Sequence, residues 1–289
     1  MQKRLLKIYM FETALLAAVF VFLGHAGFAP DEKPECTQTV TAPTLFKADD
    51  EPPTASAEYV FSNDTNSKPK LAVSLSFQSP LENETPDTYL ISDFEVELQM
   101  PELPTGCEIT ALTMALNYYG CPADKVEIAE RYLPTVPADL YYGDDGRLYG
   151  PNLNRYFVGD PATRGGYICG TEAIVYAANS YLADINSSLH AVDLTGSPAE
   201  DLYELVSENT PVVVWVTISM QPRRSPEGWY TEDGAYVDWS TNDHGAVLIG
   251  YTKDTVTIAD PISGLTEYDR AEFEEVFASR GNRCVVIQQ

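Results

Sequence analysis

Hydrophobic and polar positions divide the chain into stretches of different character. An uninterrupted apolar run from Ala14 to Gly24 follows Lys3, Arg4 and Lys7 and precedes the small residue Ala26, which is the pattern of an export signal. The run is shorter than the roughly 20 apolar residues needed to span a bilayer, so a cleaved signal over residues 1–29 is expected ahead of a signal-anchor. Residues 30–93 lack a sustained period and are dense in Pro, Thr, Ser and acidic side chains, as in Asp49-Asp-Glu-Pro-Pro53. Such a stretch buries too little apolar surface to offset its ordering entropy, so an acidic, mostly disordered spacer is expected. Within it, Leu71-Ala-Val-Ser-Leu-Ser-Phe77 alternates with period two and reads as an added strand or as transient structure.

From residue 94 the pattern becomes that of a folded domain. Thr105-Gly-Cys-Glu108 has the spacing of a capping box, with Thr105 as N-cap, and opens an apolar helix that runs through Tyr119 and stops at Gly120. Further helices are expected over 122–132, 170–183 and, from the box Ser197-Pro-Ala-Glu200, to about Glu208. The period then changes. Val212-Val-Val-Trp-Val-Thr-Ile218 is β-branched and bounded by Pro211, the mark of a buried strand. Gly245–Thr252 and Thr255–Ala259 form a hairpin around Lys253-Asp254, and Cys284–Gln288 is a final strand. Helices first and an antiparallel sheet afterwards define an α+β domain over residues 94–289.

Charge narrows the partners. The 289 residues carry 18 Lys and Arg against 43 Asp and Glu, a formal charge of −25, which would repel phosphate backbones and anionic lipid. No nucleic acid is expected as a partner, and the membrane only through an uncleaved N-terminal segment. Three histidines and five cysteines leave little for a metal site, and no phosphate-binding glycine loop occurs, so neither metal nor cofactor is expected.

The candidate chemistry begins at Cys107. At N2 of its helix the thiol would sit near unpaired N–H groups and the positive dipole end, which favours thiolate and lowers its pKa; the competing reading is a small core residue. A thiol nucleophile needs a base. His25 belongs to the signal and His190 to a polar stretch, which leaves His244 at the mouth of the strand beginning at Gly245. Across that hairpin the strand end at Asp260 should face His244 and orient its ring; alone, Asp260-Pro261 would read as a turn. Gln99, on the proline-stiffened approach to Cys107, is either an oxyanion donor or a surface loop residue.

The run Gln99-Met-Pro-Glu-Leu-Pro-Thr-Gly-Cys107-Glu-Ile-Thr-Ala-Leu-Thr-Met-Ala-Leu-Asn-Tyr-Tyr-Gly120 resembles the secreted bacterial proteins related to the bacteriocin-leader-processing, double-glycine cysteine peptidases of the papain-like clan. Gly166-Tyr, Pro211-Val-Val-Val-Trp-Val-Thr217, His244-Gly-Ala-Val-Leu-Ile-Gly-Tyr251 and Asp260-Pro-Ile-Ser-Gly264 match as well. The resemblance implies a papain-like fold, Cys107 as nucleophile, His244 as base, Asp260 as orienting acid and Gln99 as oxyanion donor. One departure is Gly106, where the transporter-linked leader peptidases usually carry an acidic residue.

The expected activity is that of an exported, secreted or cell-surface cysteine peptidase acting on neutral or basic peptide or protein substrates. Its alternatives are a non-catalytic surface module binding peptide or cell-wall material, and an acyltransferase using the same triad. Cys36 lies in the spacer; Cys121, Cys169 and Cys284 could hold one bridge or be free buried thiols. The aromatic stretches around Tyr141-Tyr142 and Arg223–Asp243 read as pocket walls or as core beneath long loops.

Overall fold

Helix and strand periodicities translate into two kinds of layer. The computed structural model describes residues 85–224 and 228–289. The expected signal, nearly all of the spacer, the Leu71–Phe77 run and Cys36 lie outside the described residues. In chain order the elements are β1 (Tyr89–Leu90), α1 (Cys107–Tyr118), α2 (Lys125–Arg131), β2 (Thr135–Val136), β3 (Tyr141–Tyr142), β4 (Leu148–Tyr149), β5 (Phe157–Val158), α3 (Thr171–Asp184) and β6 (His190–Asp193). They continue with α4 (Ala199–Ser207), β7 (Val212–Thr217), β8 (Trp229–Tyr230), β9 (Tyr236–Val237), β10 (Asp243–Tyr251), β11 (Thr255–Asp260), β12 (Gly264–Asp269), α5 (Arg270–Ser279) and β13 (Cys284–Gln288).

The main sheet is antiparallel, in the order β12-β11-β10-β7-β13-β6, with β1 also paired to β10. β7 and β10 lie at its centre and every residue of both is buried, as the near-continuous apolar runs require. Ile109, Leu112 and Leu116 of α1 are fully buried in the same core as Val213, Val247 and Val286 of the sheet. Each such side chain contributes roughly 1.5–3 kcal/mol, which makes α1 and the sheet one mechanical unit. The aromatic stretches form a small four-stranded sheet, β3-β4-β8-β9, over a separate cluster around Trp229, whose indole N–H donates to Pro151 O at 2.8 Å.

Several expectations change. The sheet takes in Tyr89 and Leu90, upstream of residue 94, because Ile91 is buried and its N–H donates to Ile249 O at 2.9 Å. The N-cap of α1 is Gly106, not Thr105, and it makes no side-chain cap bond. Thr105 Oγ1 instead donates to Thr163 O at 3.0 Å, so the loop after β5 claims the hydroxyl. Pro198 likewise replaces Ser197 as the N-cap of α4, again without a side-chain cap bond. The hairpin loop has three residues, Thr252–Asp254, rather than two. The sequence reading also passed over β6, β12 and α5. Cys107, Cys169 and Cys284 are free thiols while Cys121 is disulfide-bonded, so no bridge joins Cys121, Cys169 and Cys284 to one another.

Candidate active site

Two walls meet at the centre of the molecule. The first is the start of α1. With Gly106 as N-cap, Cys107 is N1, where the backbone N–H groups of the first turn have no intrahelical partner. A side chain at Gly106 would collide with Leu103, its Cβ lying 2.7 Å from Leu103 Cβ, so only glycine lets the approach fold this tightly onto the helix.

The second wall is the outer end of β10 and β11. Asp243 and His244 pair with Thr217 and Val216 of β7, which sets His244 at the strand mouth. Val247 faces Ala259 in the hairpin, and that register carries His244 to the neighbourhood of Asp260. His244 Nε2 lies 3.1 Å from Asp260 Oδ1, and both side chains are almost wholly buried. This is an ion-pair distance without the alignment of a linear hydrogen bond. Burial opposes ionisation of Asp260, but His244 and the backbone N–H groups of Ser263 and Ile262 outweigh it and hold the carboxyl below its ordinary value. Asp260 Oδ1 accepts from Ile262 N at 2.7 Å and Ser263 N at 3.0 Å, so the carboxyl that faces His244 also closes the turn after β11.

The walls touch through Gly245. A Cβ there would lie 2.8 Å from Glu108 Cα, so β10 and α1 pack backbone against backbone, and the Gly245 N–H favours the Cys107 thiolate. The sulfur therefore lies beside the residue that follows His244. His244 Nδ1 is buried and has no hydrogen-bond partner among the described residues.

Gln99 is buried at 3% exposure, not a surface loop residue. Its N–H donates to Pro261 O at 2.8 Å, its Nε2 to Pro104 O at 2.9 Å, and Oε1 is unpartnered. It thus ties the approach to Cys107 to the residue after Asp260. Each sequence-selected residue falls on one wall or on the strap between them.

The thiol differs from expectation. Burial is the largest influence on Cys107 and pushes its pKa well up, with the charge of Glu108 next; the Gly245 N–H works the other way. Cys107 Sγ donates to Glu108 Oε2 at 3.3 Å. At this degree of burial the dipole of the helix end does not prevail over desolvation.

Sequence reasoning also missed two features. Glu108 looked like a capping-box partner, but at N2 its side chain turns inward and is fully buried. Asp243, next to His244, is clamped by Arg280, which follows α5: Nε lies 2.7 Å from Oδ1 and Nη2 donates to Oδ2 at 2.7 Å. An acidic residue immediately before the candidate base was the only available signal for that clamp.

A cysteine at a helix start, packed against the strand that carries a histidine–aspartate pair, defines the class of domain. The chain belongs to the Peptidase_C39 like family, which it matches over residues 91–285. It is 30% identical over 194 residues to the uncharacterised protein YvpB of Bacillus subtilis (strain 168), covering 67% of this chain and 73% of that one. The crystal structure of a candidate C39-like peptidase from Bacillus anthracis superposes with a TM-score of 0.62 at 30% identity, over 71% of this chain and 98% of that one.

Proposed function

We propose that the protein is an exported cysteine peptidase of papain-like type. Cys107 attacks a peptide or amide carbonyl, and its thiol proton passes to His244 Nδ1 as the S–C bond forms. Asp260 holds the ring from the other nitrogen. The Cys107 backbone N–H and the Gln99 amide receive the oxyanion, His244 returns its proton to the leaving amine, and water resolves the acyl-enzyme. The observation that carries this reading is the meeting of the two walls: Gly245 packs against the first turn of α1 at Glu108, next to Cys107, while the adjacent His244 is 3.1 Å from Asp260.

Neutral or basic substrates suit the site. A cavity of about 460 Å³ shares Leu103 with the nucleophile's approach, has Val126 and Pro161 in its walls, and carries Glu102, Glu130 and Asp160. The apolar stem of a lysine or arginine fits such walls and its head meets carboxylates. Export places the enzyme outside the cytoplasm.

A non-catalytic binding module is favoured by one observation. The thiol is 6% exposed and hydrogen-bonded to Glu108. The two readings separate on the full chain with a library of peptides rich in lysine and arginine. Hydrolysis that disappears in Cys107→Ala is the expected result; hydrolysis that persists in that variant, or its absence from the natural chain, ends the peptidase reading.

A further inference from the structure

We propose that Glu108 is a further catalytic residue, a neutral carboxylic acid that holds the Cys107 sulfur and supplies the hydrogen bond that lets it become thiolate. The inference rests on the peptidase reading of Cys107 and His244. Its footing is geometric. Glu108 is fully buried, its Oε2 lies 3.3 Å from the sulfur, and its Oε1 has no hydrogen-bond partner among the described residues. No Lys or Arg pairs with it among the described residues, and a lone buried carboxylate is costly enough that the group takes up a proton instead.

The groups facing it come from three elements. On α1 there is Cys107. On β10 there are the Gly245 backbone and Asp243, whose charge is met by Arg280. From the loop before α3, the Cys169 backbone N–H favours the ionised carboxyl against burial, and the Cys169 thiol is buried and free. Burial is the largest influence and raises the Glu108 pKa to about 8, with the charge of Asp243 a minor addition.

Two protonation states follow. When Glu108 is neutral its O–H can turn to the sulfur; the S–H bond breaks, the proton moves to His244 Nδ1, and Glu108 keeps its own proton while donating to the thiolate. When Glu108 is ionised the thiol donates to it instead, and forming thiolate would set two negative charges 3.3 Å apart. The nucleophile is therefore available below the carboxyl's pKa and withdrawn above it, the reverse of an ordinary thiol.

Iodoacetamide labelling of Cys107 in the full chain, read by peptide mass spectrometry from pH 5 to 9.5, tests this. The natural chain should lose reactivity above about pH 8, by an order of tenfold at pH 9.5. E108Q, which keeps a donor but cannot ionise, should lose that alkaline fall. Coincident profiles for the two proteins overturn the proposal. So does reactivity in the natural chain that rises steadily to pH 9.5, a readout that stands even if E108Q fails to fold. H244A distinguishes the underlying reading: unchanged labelling there sinks the Cys107–His244 pair, whereas slowed labelling with an unaltered E108Q profile sinks only the role of Glu108.

Discussion

Of the carboxyl groups buried beside the candidate dyad, Asp260 on the strand wall and Glu108 on the helix wall are driven in opposite directions. Asp260 faces an imidazole and two backbone N–H groups and is held below its ordinary pKa; Glu108 faces a thiol, has one unpartnered oxygen, and is raised to about 8. Burial raises both. What separates them is the partner: Asp260 faces an imidazole that can carry positive charge, whereas Glu108 faces no cation among the described residues, so burial alone does not say whether a carboxyl in an active site is an anion or an acid. The strand wall is built to keep a charge and the helix wall to keep a proton.

The sharpest way to break this contrast is to remove the group that Asp260 serves. H244A should lower amide hydrolysis by about 10²–10⁴-fold, the usual worth of a positioned base. Hydrolysis within a few-fold of the natural rate would mean that the strand wall supplies no base. Next in size comes the clamp behind that wall. Arg280 and Asp243 are both almost wholly buried, so Arg280→Met leaves an unpaired buried carboxylate and should cost about 3–5 kcal/mol in urea unfolding. A loss below about 1 kcal/mol would show that Asp243 simply takes a proton when its partner goes, as Glu108 already does.

Legibility in the sequence follows the same divide. His244 and Asp260 could be paired because a hairpin has a fixed register, and the register survives a loop one residue longer than expected. Cys107 was legible because the capping-box spacing ahead of an apolar run marks a helix start, which the structure places one position later. The capping box misled because spacing does not say where a hydroxyl finds its best acceptor; Thr105 found it in Thr163 O, 58 residues away. That shift of one position also turned Glu108 from a presumed cap into a buried acid. Helix α5 is a different kind of miss, since its signals were present: Asp269 accepts from Glu272 N at 3.0 Å, and Phe273, Val276 and Phe277 recur at helical spacing. Strand β6 offered less, with four residues of mixed polarity that are strand only because β13 pairs with them.

The smallest effect is the most specific to the contrast, because it appears only as a slope. A group whose pKa is higher folded than unfolded binds more protons when folded, so Glu108 contributes stability that is complete below its ordinary value of 4.5 and is lost as pH rises to about 8. Asp260 runs the other way: its contribution is present above its ordinary value of 3.8 and is lost as pH falls through its lowered folded value. Between pH 5 and 8.5 Asp260 is therefore silent and Glu108 is not. Urea unfolding of the natural chain and E108Q over that range, with the disulfide of Cys121 intact, should diverge by a few kcal/mol, the variant gaining on the natural chain as pH rises. Asp243, which burial also raises against the pull of Arg280, is present in both proteins, and its charge is only a minor influence on Glu108. Parallel curves would mean that Glu108 is ionised in the folded protein. The thiol beside it would then be held by an anion at every working pH, and the helix wall would resemble the strand wall after all.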